Sequence, residues 1–128
     1  MAKTIATLVG AVFILVGIAG FVSHELLGAH LSTTHNLVHL VSGAASLYFG
    51  LKGTLAQART FCLIFGIVYG LLGVVGFFVG TGEDRLLDIA AIGLRLGTVD
   101  HIIHIVIGAL YLFGALSTKA GVVEADAR

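Results

Sequence analysis

Two short runs hold most of the residues able to do chemistry: "HNLVHLVSG", His35 to Gly43, and "DHIIHIVIG", Asp100 to Gly108. His35 and His39 are four apart, as are Asp100 and His104, with His101 between the latter two. On a helix, groups three or four apart share a face. Imidazoles with a carboxylate suit zinc, copper, nickel or non-haem iron. His35, His39, Asp100, His101 and His104 are therefore the candidate metal ligands. Opposed across a bundle, His39 and His104 are instead the candidate axial ligands of a haem b, and Gly43 and Gly108, one turn after each, leave room for a flat macrocycle. The plainer use of the same residues is interhelical hydrogen bonding, with Asn36 and Asp100 as partners. Such contacts are common in membrane bundles and average about 0.6 kcal/mol.

Both runs need helices in lipid to position them. Hydrophobic residues make up 58% of the 128 and charged residues only 11%. A soluble domain carries about a quarter charged residues, so this chain cannot cover a globule with polar surface. Thr4 to Ser23, Leu31 to Leu51, Thr60 to Gly82 and His101 to Thr118 contain no Asp, Glu, Lys or Arg. Roughly 20 apolar residues cross a hydrocarbon core. The expected fold is all-α: an integral membrane four-helix bundle spanning at about 4–23, 33–51, 60–80 and 99–118, in a single domain over 1–118. Thr33 and Thr98 are the expected N-caps of the second and fourth spans. Leu86, Leu87, Ala90 and Leu94 have the spacing of a short interfacial helix within 83–95. Residues 119–128 read as a disordered cytoplasmic tail.

Lys3, Lys52, Arg59, Lys119 and Arg128 fall on the side holding both termini, and Arg85 and Arg95 on the other. The bias puts both termini in the cytoplasm of a cell whose inner or plasma membrane the chain crosses. All six histidines then lie at the outer side; His24 and His30 fall in a loop and read as solvated. The one cysteine, Cys62, cannot form an internal disulfide. Zero net charge gives no reason to expect nucleic acid. The first span is long for a signal peptide.

The chain also repeats itself. Gly10, Gly17, Gly20 and Phe21 of the first span align with Gly66, Gly73, Gly76 and Phe77 of the third. Thr33, His39 and Gly43 align with Thr98, His104 and Gly108. The expectation is two tandem hairpins in parallel orientation, with the glycines serving close helix packing. No phosphate-binding loop and no serine–histidine–acid grouping is recognisable. Tyr48, Tyr69 and Tyr111 read as packing residues with a hydrogen-bonding tip.

"NLVHLVSGAASLYFG", "ART" and "DHIIHIVIGALYL" (Asn36 to Gly50, Ala58 to Thr60, Asp100 to Leu112) resemble a bacterial family of small four-span membrane proteins of unknown function, DUF4383-like. The resemblance covers nearly the whole chain and rests on Asn36/His39 and Asp100/His104. His101 stands where the pattern leads one to expect Asn, and His35 is particular to this chain. The resemblance implies a four-helix membrane fold and no activity.

The expected function is that of a non-enzymatic accessory subunit or homo-oligomer, in which His39 and His104 are interhelical contacts. Its partners are the bilayer and either a second copy or a larger membrane complex. The alternative is a metal- or haem-binding membrane protein acting in electron transfer, sensing or metal passage. Proton or small-solute passage comes third.

Overall fold

A computed structural model describes residues 1–23, 32–89, 91 and 93–118. Four long helices run in chain order: α1 (Ala2–Val22), α2 (Thr33–Leu51), α3 (Leu55–Val79) and α4 (Thr98–Leu116). A small hairpin, β1 (Leu87–Ile89) and β2 (Leu94–Leu96), separates α3 from α4. α1, α3 and α4 are each long and apolar enough to cross a membrane. His24, His30 and the tail 119–128 lie outside the described residues.

The helices are polar or small inside and greasy outside. Leu15, Val41, Phe78 and Leu116 are exposed, while Ser46, Asn36, His101 and Asp100 are buried. That inversion suits a lipid solvent, where association rests on close packing and interhelical polar contacts rather than on burying large apolar side chains.

Two hairpins form the bundle: α1 lies along α2, and α3 along α4. Glycines set both spacings. A Cβ on Gly43 would sit 2.9 Å from the Gly10 carbonyl oxygen, and one on Gly108 would sit 2.9 Å from that of Gly66. The agreement continues outward. Gly17 faces Leu40 and Gly73 faces Ile105; Gly20 faces the Asn36 side chain and Gly76 the His101 ring. The paired sequence positions therefore make paired contacts.

The described chain ends share one end of the bundle, where the Ala2 amide donates to Thr118 Oγ1 at 3.1 Å. At the same end Arg59 Nε donates to the Ala115 carbonyl in the last turn of α4, where a cation complements the helix dipole. β1 and β2 lie between the end of α3 and the start of α4, at the opposite end of the bundle.

Three expectations need correction. The N-cap of α2 is Ser32, not Thr33: its hydroxyl accepts from the His35 amide at 3.2 Å. The N-cap of α4 is Gly97, not Thr98, and the capping group is Asp100, whose Oδ2 accepts from the Gly97 amide at 2.8 Å. Thr98, already helical, instead donates its hydroxyl to the Asp84 carbonyl. The segment expected to form an interfacial helix is the hairpin, with Asp88 paired to Arg95 and Leu87 to Leu96. Alternation explains it: Leu87 and Ile89, like Leu94 and Leu96, turn inward while Asp88 and Arg95 stay exposed, and Gly93 takes the positive φ a turn needs. In addition, α3 starts at Leu55, ahead of the charge-free stretch from Thr60. Thr54 and Gln57 form a capping box there, Thr54 Oγ1 accepting from the Gln57 amide and Gln57 Oε1 from the Thr54 amide.

Candidate metal centre

One face of α2 turns a line of polar side chains into the bundle: His35, His39, Ser42 and Ser46, all buried. Their spacing of four, three and four keeps them on one stripe. α4 answers with His104, buried one turn beyond Asp100. Three of the five candidate ligands converge. His35, His39 and His104 each offer a ring nitrogen, and these atoms lie within 4.8 Å of one another. The His35 and His39 rings are 4.2 Å apart by centroid, and His35 and His104 5.8 Å.

An ion held at about 2.0–2.1 Å by each nitrogen brings tetrahedral ligands to roughly 3.3 Å from one another, so each imidazole need move inward by less than about 1 Å. Nδ1 of His39 and Nδ1 of His104 are buried with no hydrogen-bond partner among the described residues. A buried polar atom left so costs about 1–3 kcal/mol. A ligand that takes such atoms recovers that energy.

Asp100 and His101 stand apart from the trio. Asp100 carries the capping bond already described, though it borders a cavity that His35, His39 and His104 also line. His101 turns toward the hairpin: its ring packs on Phe77 at 5.2 Å, and Nε2 lies 2.7 Å from the Arg85 carbonyl oxygen. A carbonyl only accepts, so Nε2 carries the proton. His101 thereby ties the loop before β1 to α4, and it occupies the place against Gly76 that Asn36 occupies against Gly20. The expected departure from Asn is thus a structural substitution, not an added ligand.

Haem does not fit. His35 packs on His39, and the cavities beside the histidines measure about 20 Å³ and 70 Å³. Sites for larger organic ligands run to about 300–1,000 Å³. An ion with one or a few waters matches the space.

Two aromatic rings flank the centre. Phe13 packs on His39 at 5.3 Å and Tyr69 on His104 at 5.5 Å, with 5.2 Å between them. The Tyr69 hydroxyl is 2.8 Å from Ser42 Oγ. One turn deeper the Tyr111 hydroxyl donates to Ser46 Oγ at 2.9 Å, which donates to the Ala6 carbonyl at 2.6 Å. Tyr69 and Phe13 were not among the candidates. A signal existed for Tyr69: it lies three after Gly66 and four before Gly73, on the face that packs against α4.

A family model described as a domain of unknown function, DUF4383, matches residues 3–117. No curated protein and no solved structure matches the chain.

Proposed function

Because the chain belongs to the DUF4383 family, whose function is unknown, we propose that it is a four-span membrane protein that binds one transition-metal ion through His35, His39 and His104. The single observation that carries this reading is the convergence of three buried imidazoles whose ring nitrogens lie within 4.8 Å. Three neutral nitrogen donors suit copper, zinc, nickel or iron. The Asp100 carboxylate at the adjoining cavity offsets one positive charge, which favours a monovalent copper ion in a site otherwise walled by apolar side chains.

The reading of four crossings is supported by α2. Its 19 residues match the span of α4. Its polar residues lower its average hydropathy, yet they point inward, while Leu37, Val41, Tyr48 and Leu51 face out. A helix packed along α1, polar only where it meets its neighbours, belongs in the bilayer with them. The paired glycine contacts support a tandem repeat of two hairpins. The shared end of Ala2 and Thr118 also holds Lys3, Arg59, bonded to Ala115, and Lys52, which follows the turn of α2 packed against Thr7, and the positive-inside bias makes it the cytoplasmic end.

Metal binding accounts for the Nδ1 atoms of His39 and His104 better than interhelical glue does. That role calls for hydrogen bonds from the rings, and Nδ1 of both His39 and His104 makes none among the described residues. The accessory-subunit reading and homo-oligomerisation stand beside metal binding as compatible outer roles.

Titration of the detergent-solubilised, untagged protein with copper(I) and with zinc(II) tests the proposal. One ion per chain is expected, and a His39→Ala/His104→Ala double variant should lose it. Stoichiometry unchanged in that variant would rule the site out.

A further inference from the structure

The two cavities beside the histidines are counterparts. The smaller, about 20 Å³, is lined by Val38, Tyr69 and Leu72 and covered by Leu94 and Leu96 of the hairpin. The larger, about 70 Å³, is lined by Ile103, Phe13 and Val16 at the positions the repeat pairs with those three. His39 and His104 border both. The difference lies in size, since Val38, 41% exposed, brings the small cavity as near the outer surface as its counterpart Ile103 brings the large one. Leu96 is fully buried over the small cavity. The large one lies between α1 and α4, and two of its lining residues, Val12 and Ile103, are 52% and 40% exposed on the outer surface of the helices.

We propose that the larger cavity is a ligand chamber entered from the bilayer, in which a small uncharged molecule of diatomic size binds the metal held by His35, His39 and His104. The inference rests on the metal reading. Three imidazoles leave a coordination position open. The space admits a few heavy atoms and no more. Its walls are aliphatic or aromatic apart from the imidazoles and Asp100, so a charged solute entering it would lose its hydration without replacement. Val12 sits near the middle of α1, so a ligand entering past it would come from the depth of the acyl chains, where small apolar molecules dissolve and ions do not. The ligand class is therefore the dissolved diatomic gases. The cavity on the hairpin side, at about 20 Å³, is too small for a second such ligand.

Carbon monoxide is the probe, because copper(I) bound by imidazoles takes it without redox change. Copper(I)-loaded protein in nanodiscs is exposed to the gas, and the infrared carbonyl band is read alongside copper content. The wild type should bind one carbon monoxide per copper. Val16→Phe, which fills the chamber, should weaken gas binding by about tenfold or more, and Val12→Trp, which obstructs the way in from the lipid-facing surface, should slow carbon monoxide association by about tenfold or more, while copper stays at one per chain in both. Copper bound without carbon monoxide in the wild type overturns the chamber and leaves the metal centre standing. Equal gas affinity in wild type and Val16→Phe overturns it too, and an association rate unchanged in Val12→Trp overturns entry from the bilayer, since the ligand then enters elsewhere. Failure to bind copper at all removes the metal reading, and the chamber with it.

Discussion

The hairpin α1–α2 and the hairpin α3–α4 are built on the same contacts and carry different chemistry. Gly10 against Gly43 matches Gly66 against Gly108. His39 on Phe13 matches His104 on Tyr69. Beside these, the repeat pairs His35 with Asp100, Asn36 with His101, and Ser46 with Tyr111. Capping explains the first difference. α2 is capped by the hydroxyl of Ser32, so the residue three further on is released to be an imidazole that turns to the centre. α4 starts from Gly97, which has no side chain, so Asp100 must reach back to its amide. Packing positions repeat and polar positions specialise. A third histidine beside a symmetric pair is what the specialisation produces.

The sharpest way to test the shared part is to crowd it. Gly43→Leu and Gly108→Leu should each destabilise the bundle by about 3 kcal/mol, the upper end of overpacking costs, because the opposing atom is backbone. Unfolding in mixed micelles should give similar losses for the two; a large inequality would break the equivalence of the hairpins. Next comes the centre itself. His39→Ala and His104→Ala should lower metal affinity by about 100-fold or more, beyond the range of outer-shell groups, as read by competition titration, whereas His101→Asn should leave it within error. Loss of affinity in His101→Asn would mean that its bond to Arg85 is not its main role. The caps give smaller effects. Ser32→Ala and Asp100→Ala should each cost about 0.5–2 kcal/mol in stability, and Ser32→Ala should also weaken metal binding through misplacement of His35. The smallest effect belongs to the flanking rings. Tyr69→Phe forfeits the bond to Ser42, worth about 0.6 kcal/mol in a bilayer on average, and should leave metal stoichiometry unchanged.

Much of this was legible in the residues, for identifiable reasons. Glycine spacing in an apolar run has few uses other than close packing, so the pairing of Gly10 with Gly66 and of Gly43 with Gly108 pointed to matched helix crossings. His39 and His104, placed alike in two helices, pointed to a shared depth. The start of α3 was hidden because absence of charge marks lipid and not helix: Arg59 lies inside the helix, bonded to the end of α4. The hairpin was hidden because Leu86, Leu87, Ala90 and Leu94 satisfy a helical period while Leu87, Ile89, Leu94 and Leu96 satisfy a strand period, and only Gly93 favours the turn. Asp100 and His101 were drawn into the ligand set by spacing alone. Spacing places a residue on a face but does not say whether a nearer backbone group, the Gly97 amide or the Arg85 carbonyl, will take its side chain first.

X-ray absorption at the metal edge of copper(I)-loaded protein tests the histidine centre most directly. Three imidazole nitrogens at about 2.0 Å are expected, with the pattern lost in the His39→Ala/His104→Ala double variant. A spectrum of oxygen or sulfur ligands, or one that is the same in that variant, would contradict it.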